Sequence, residues 1–249
     1  MDLEIITYDI IDSTNTEALK LAREGEAEGT CILAREQTAG RGRLGRKWVS
    51  EKDAGLYFSI ILRPEMPKAE FPLITLMAGA AVHDALGELG ISADIKWVND
   101  IHVGGKKISG ILTETTATPN GTAAVVGIGV NLLPSNFPPE IADLSTSVQS
   151  ETGRTMTGAE FAEILVKYLG YFYGKLQAEK GGSEIINEWR KRSTYFSGKK
   201  VKAKTGTETV FGVTDGLEPN GALRIMQEDG TLAVISAGDV EQLRADSGE

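Results

Sequence analysis

Apolar positions recur along this chain in two rhythms, and they divide it into a mixed α/β stretch followed by an all-β tail. The pattern opens with a short strand at 3–8, and further strands follow near 30–36 and 55–62. Between the first two, the polar run Asp12-Ser13-Thr14-Asn15-Thr16-Glu17 opens a helix. Thr14 with Glu17 three residues on fits a capping box, and Gly25 fits the stop. Residues 71–89, rich in Leu, Ile, Met and Ala, read as a largely buried helix. β-rich segments follow at Asp94–Trp97, Ile101–Val103, Lys107–Thr115 and Ala123–Leu132, joined by turn signals at Gly104-Gly105 and Pro119-Asn120-Gly121. Phe161, Ile164, Leu165, Tyr168, Leu169 and Phe172 then form a helical stripe within 158–178, and a further helix spans 183–191 with Ile185, Ile186 and Trp189.

Near 193–198 the character changes. Short strands at Lys199–Lys204, Thr209–Val213, Ala222–Gln227 and Leu232–Ser236 alternate with Gly, Asn and Asp turns, the spacing of a small antiparallel barrel. The expected fold class is therefore α+β: a mixed β-sheet with packed helices over residues 1–195, its strands mostly in meander order. A small β-barrel follows over 196–249, with a frayed tail at 245–249.

Composition narrows the possibilities. The 249 residues carry 26 Lys and Arg against 35 Asp and Glu, a formal net charge of −9 that argues against general nucleic-acid affinity. A single cysteine, Cys31, excludes an internal disulfide and a cysteine-rich zinc site, and reads as a small buried strand residue. Two histidines, His83 and His102, argue against a His-rich metal site. The N-terminus has no basic n-region or apolar run of signal length, and nothing approaches a membrane span, so a cytoplasmic protein is expected.

Against that acidic background residues 39–48, Ala-Gly-Arg-Gly-Arg-Leu-Gly-Arg-Lys-Trp, stand out. Glycines at 40, 42 and 45 rule out a helix, so the cations sit on a loop whose backbone can approach a ligand closely. Guanidinium forks suit phosphate or carboxylate oxygens, although a solvated or RNA-binding loop has the same composition. Ser13-Thr14-Asn15 is either a helix cap or a set of donors and acceptors for a compact polar head group. Asn99 and Asp100 end a strand, as turn residues do and as a magnesium-phosphate site would require. If the strand has begun by residue 106, Lys106 and Lys107 face opposite ways; Lys107 then shares its face with Ser109 and Ile111, and Gly110 lies on the other. Gly127 and Gly129, two apart before Asn131, bare one strand face for a flat ligand or a crossing strand. No dinucleotide fingerprint or Walker loop is present.

In this order, Ser13-Thr14-Asn15, Gln37, the run from Gly40 to Trp48, Lys96-Trp97-Val98-Asn99-Asp100, Lys107-Ile108-Ser109-Gly110-Ile111-Leu112 and Gly127-Ile128-Gly129-Val130-Asn131 closely resemble biotin protein ligases over nearly the whole chain. Val98 departs from the family's usual proline without removing a polar group. The resemblance implies a class II synthetase-like catalytic domain with a C-terminal SH3-like barrel. It implies a two-step reaction: biotin and ATP give biotinyl-5′-AMP and pyrophosphate, then a carrier-domain lysine of a biotin-dependent carboxylase takes the biotin. On this resemblance Ser13, Thr14, Asn15, Gln37, Arg41, Gly42, Gly110 and Trp48 would bind biotin. Arg43 and Lys107 would be catalytic as well as biotin-binding. Asn99, Asp100 and Asn131 would bind the nucleotide, with Asp100 next to a phosphate-borne Mg²⁺. Some relatives carry an N-terminal DNA-binding domain, for which a motif starting at residue 13 leaves no room, so no DNA partner is expected. Family behaviour allows a strand-edge homodimer, which the residues themselves do not show.

The nearest rival is a lipoate or octanoate ligase of similar fold; a fatty acyl tail needs no Ser-Thr-Asn head-group donors. A rival of another class is an RNA-binding module using the arginine–glycine loop, against which stands the net charge of −9. An inactive adenylate sensor fits poorly with intact Arg41, Arg43 and Lys107.

Overall fold

The computed structural model describes residues 3–135, 137–206 and 208–242. The frayed tail expected at 245–249 lies outside them. A seven-stranded sheet organises the first part of the chain. In chain order come β1 (Glu4–Ile11), α1 (Thr14–Glu24), β2 (Thr30–Gln37), β3 (Gly55–Leu62), α2 (Pro72–Glu88), β4 (Asp94–Lys96), β5 (Asp100–Val103), β6 (Lys106–Thr118) and β7 (Gly121–Asn131). The spatial order is β1-β2-β3-β7-β6-β5-β4. Only β1 and β2 run parallel, joined through α1; the remaining neighbours are antiparallel.

Strand alternation splits this sheet into two unlike faces. Leu56, Phe58, Ile60 and Leu62 of β3 and Ala124, Val126, Ile128 and Val130 of β7 point into the main core. α2 and α5 (Gly158–Gln177) cover that face, with α6 (Gly181–Lys191) behind them. On the opposite face Ala18 and Ala22 of α1 pack on Ile32, Ile61, Ala123 and Val125. α1 covers only one end, so the rest of this face is open.

Boundaries at α1 correct one expectation. Thr14 is not the cap: Ser13 takes that place in extended conformation without a side-chain cap bond, while Gly25 ends the helix in the left-handed region. Thr14 instead gives its backbone N–H to Gln37 Oε1 at 2.8 Å and its hydroxyl to the same oxygen at 3.2 Å. The glutamine at the end of β2 thus satisfies an amide that a capping box would have used. α5 does begin with a capping box, Thr157 with Glu160. Two short helices, α3 (Pro139–Ala142) and α4 (Val148–Thr152), were not legible from periodicity, being little more than one turn each.

The C-terminal part is a second antiparallel sheet of β8 (Ser197–Lys204), β9 (Thr209–Leu217), β10 (Leu223–Met226), β11 (Leu232–Ile235) and β12 (Asp239–Gln242). Its order is β11-β10-β9-β8-β12, the small antiparallel domain expected here; among the described residues no pairing joins β11 to β12. Val201, Leu223, Ile225, Ile235 and Val240 join the same apolar cluster as the main core, and Trp97 Nε1 donates to Gly221 O at 3.0 Å. Among the described residues no helix is long and apolar enough to cross a membrane.

The helical layer is tied by a half-buried ion cluster. Arg192 grips Asp84 of α2 with Nε and Nη2, each at 2.7 Å, and reaches Glu188 Oε2 with Nη1 at 2.6 Å. Burial alone would raise the Asp84 carboxyl, but hydrogen bonds from His83 and Arg192 outweigh it and hold it at about 2. Glu188 is likewise drawn to about 2 against its burial by Arg192, Lys191 and Lys175. Both values lie below the unfolded range, so this stabilisation is complete above that range and is lost as pH falls toward about 2. For Asp84 it amounts to about 2 kcal/mol. Asp84→Asn is expected to melt several degrees below the parent at pH 7, with the gap closing between about pH 4.5 and 2. Thermal melts across that range check this; a gap independent of pH contradicts it.

Candidate active site

The open part of the sheet floors a cavity of about 650 Å³, the size of a small-ligand site. Ser13, Thr14, Asn15, Gln37, Arg41, Gly42, Arg43, Trp48, Asn99, Asp100, Lys107, Gly110 and Asn131 all line it. Gly127 and Gly129 form its floor because their neighbours leave no room for side chains: a Cβ on Gly127 would fall 2.0 Å from Asn15 Oδ1, and one on Gly129 2.4 Å from the Trp48 ring. The bare strand face noticed in the sequence is thus occupied by Asn15 and Trp48.

At one end the polar side chains are wired to each other. Ser59, fully buried, lies with its hydroxyl 2.6 Å from Asn15 Oδ1 and 2.8 Å from Thr14 Oγ1. Asn15 Nδ2 donates to Leu112 O at 3.1 Å and to Glu114 Oε2 at 2.9 Å. Gln37 Nε2 donates to Ser50 Oγ at 2.8 Å. Every group is held in one orientation before any ligand arrives, which suits a compact head group with its own donors and acceptors.

The arginine–glycine loop folds over the cavity as a tight hairpin, with Trp48 N–H to Gly40 O at 3.0 Å and Gly42 N–H to Arg46 O at 2.7 Å. A Cβ on Gly40 would meet Trp48 O at 2.4 Å, so this stem requires glycine. Its cations go to different partners: Arg41 pairs with Glu114 at 2.5 Å, Arg46 with Asp239 of the second sheet at 2.7 Å, and Arg43 Nη1 donates to Asn99 Oδ1 at 2.8 Å. Among the described residues Arg43 makes no ion pair. Burial pulls its guanidinium below the ordinary value, with Asp239 and Asp100 working against that.

Lys107 faces the same side as Gly110, contrary to the alternation expected from sequence. The β5–β6 register slips here: Ile101 pairs with Ser109 but His102 pairs with Lys107, so Ile108 is the extra residue of a bulge. That bulge turns Lys107 into the cavity, where Nζ lies 2.7 Å from Asp100 Oδ1 and 5.4 Å from the Trp48 ring centre. Lys106 stays exposed. Burial alone would raise the Asp100 carboxyl, but Lys107, helped by Lys96 and His102, holds it below the usual carboxylate range. Burial lowers Lys96 and His102, so both favour their neutral forms more than usual. Asn131 Nδ2 donates to Thr146 O at 3.0 Å, tying the end of β7 to the segment after α3.

Reasoning from sequence missed Ser59, Lys96, His102, Glu114 and Tyr195 as members or neighbours of the site. Ser59 had a signal, the one small polar side chain inside Leu-Tyr-Phe-Ser-Ile-Ile-Leu; the others depended on which strand lies beside which. Gly129→Ala is expected to keep the fold and displace Trp48, with tryptophan emission shifting to the red. An unchanged spectrum in a folded variant would remove Trp48 from the cavity wall.

Comparison with known proteins identifies the family. The model of the biotin/lipoate A/B protein ligase family matches residues 7–131, and that of the biotin protein ligase C terminal domain matches 196–242. The chain is 38% identical over 243 residues to a biotin–[acetyl-CoA-carboxylase] ligase of Paracoccus denitrificans, covering 92% of this chain and 96% of the relative. It is 35% identical to the bifunctional ligase/repressor BirA of Bacillus subtilis, over 97% of this chain and 74% of that protein. Among solved structures, the biotin protein ligase of Aquifex aeolicus in complex with biotin and ATP superposes with a TM-score of 0.82 at 31% identity, over 97% of this chain and 99% of that one. The chain belongs to the biotin/lipoate A/B protein ligase family, among its biotin protein ligases.

Proposed function

We propose that this protein is an ATP-dependent biotin protein ligase, which activates biotin as biotinyl-5′-AMP and passes it to a lysine of a biotin carboxyl carrier domain. One observation carries the reading beyond family membership: a pre-wired polar pocket and the cations Arg43 and Lys107 open onto a single cavity. In the first step a biotin carboxylate oxygen attacks the α-phosphorus of ATP and pyrophosphate leaves. The two anions repel by about 4 kcal/mol per charge pair at ~4 Å with an effective dielectric near 20. Lys107, held by Asp100 and beside Trp48, is placed to neutralise both. Arg43, half-buried and without a carboxylate partner among the described residues, has its charge available for the phosphates. Ser13, Thr14, Asn15 and Gln37 take the ureido end, Gly42 and Gly110 let backbone approach the ligand, and Trp48 covers its apolar rings. In the second step the neutral carrier amine attacks the carbonyl carbon, AMP leaves and the amine loses its proton; the loop keeps water from the anhydride meanwhile.

Mg²⁺ would come with the nucleotide and supply shielding of the phosphate charges. Among the described residues no cluster of three or more acidic, His or Cys side chains offers a metal cage. The residues therefore fit an ion carried mainly by phosphate oxygens, with Asp100 as a nearby carboxylate. Asn99 and Asn131 stand at the nucleotide side. The substrates place the enzyme in the cytoplasm, and the exposed strand β1, at the sheet edge with Ile5 and Ile10 outward, allows a homodimer. No DNA partner is needed for this reaction.

Pyrophosphate release from ATP and Mg²⁺ is expected with biotin and not with lipoate or octanoate; release with lipoate or octanoate alone would move the chain to the rival activity, and binding of single-stranded RNA with no release would favour the other rival. Lys107→Ala should lower the adenylation rate by at least about a hundredfold with the fold intact. Arg43→Gly should still form the adenylate but lose it to solution, labelling bystander lysines; unchanged retention contradicts its role.

A further inference from the structure

We propose that Glu114, which the ligase reading does not employ, is the positioning residue through which the head-group pocket holds the arginine–glycine loop in place. A single carboxylate oxygen, Oε2, accepts from Asn15 Nδ2 at 2.9 Å and from Arg41 Nη2 at 2.5 Å. Asn15 cannot turn away from it. Its other amide proton goes to Leu112 O, its oxygen faces the Ser59 hydroxyl, and the amide lies packed against the bare backbone of Gly127. With both amide protons engaged, Asn15 meets a ligand through its oxygen, as an acceptor from an N–H group. Glu114 pulling on the amide nitrogen makes that oxygen a stronger acceptor, and Arg41 anchors Glu114 where it must be to do so.

The opposite end of the loop is wired to the same cluster by neutral bonds. Thr14 gives its hydroxyl to Gln37, Gln37 its amide to Ser50, and Ser50 its hydroxyl to Trp48 O at 3.1 Å. Residues 41 and 48, the two feet of the hairpin, are therefore both tied to the residues that face the ligand's head. Coupling of this kind is reciprocal: an ordered loop sharpens the pocket, and a ligand on Asn15 steadies the loop by the same free energy. The charged branch through Glu114 is the stronger of the two. It is also the one that can be cut without touching a residue that meets the ligand.

This inference rests on the biotin-activating reading, and one readout is chosen to be independent of it. Arg41, Arg43, Arg46 and Lys47 are trypsin sites within the hairpin, so limited proteolysis of the ligand-free, full-length protein reports loop anchoring without any substrate. Glu114→Gln should speed cleavage within 41–47 by about tenfold and leave cleavage elsewhere unchanged. It should also raise the KM for biotin more than it lowers kcat, and shorten the time for which biotinyl-5′-AMP stays bound. Arg41→Gln should do the same at the three sites it leaves, Arg43, Arg46 and Lys47, and at those sites the double variant should be no worse than either single one. Glu114→Asp, which keeps the charge but reaches less far, should fall between parent and Glu114→Gln. Parental cleavage rates in Glu114→Gln, additive effects in the double variant, or faster cleavage with an unchanged biotin KM would each overturn the assignment. If no acid supports pyrophosphate release, the ligase reading fails, while the cleavage rates still decide whether Glu114 anchors the loop.

Discussion

The site depends on a strip of sheet from which side chains are missing. β7 runs through the middle of the seven strands, and at Gly127 and Gly129 its outward face carries only backbone. Asn15 sinks onto one glycine and Trp48 onto the other; even a methyl group at either place would overlap them. That single constraint brings the start of α1 and the foot of the loop down to the sheet. The neighbouring strand contributes through the Ile108 bulge, which turns Lys107 to the same side. Lys107 then stands between a carboxylate and an aromatic face, in the cavity that α1 leaves open.

Charge is distributed with equal economy. A protein of net charge −9 must attract an acid and a polyphosphate, so it concentrates cations at one place. Arg41 and Arg46 are neutralised by Glu114 and Asp239 and act as tethers. Arg43 sits between them, desolvated, with an amide oxygen for a partner. Ion pairs flank the central guanidinium, which itself meets only amide oxygens. The tether to Asp239 comes from the second sheet, so the C-terminal part helps to hold the loop.

Much of the fold could be read from the chain because its rhythms are clear. The helices α2, α5 and α6 and the strands β2 to β7 lie within a few residues of the positions that periodicity predicts. Less legible were features decided by tertiary contact. The cap of α1 was misread because Gln37, twenty-three residues away, takes the amide that a local partner would have taken. Lys107 was assigned the face opposite Gly110 because a bulge has no signature in an unaligned sequence. β12 was missed although it is as long as β10 and β11, because Asp239-Val240-Glu241-Gln242 offers a single apolar residue among polar ones. Motif residues were found because each is conspicuous beside its neighbours: arginines among glycines, or three short polar groups at a helix start. Glu114 and His102 are not conspicuous in that way. They acquire meaning only when β6 lies beside β5 and α1 lies across β6.

The most direct test of a cleft that makes an acyl-adenylate and keeps it is to look for that adenylate on the protein. Native mass spectrometry of the full chain after incubation with biotin and Mg-ATP, with no carrier present, should find one biotinyl-5′-AMP bound per chain. It should find none when lipoate replaces biotin. A chain that remains free of adenylate under saturating substrates, or that holds the lipoyl compound instead, would contradict the account.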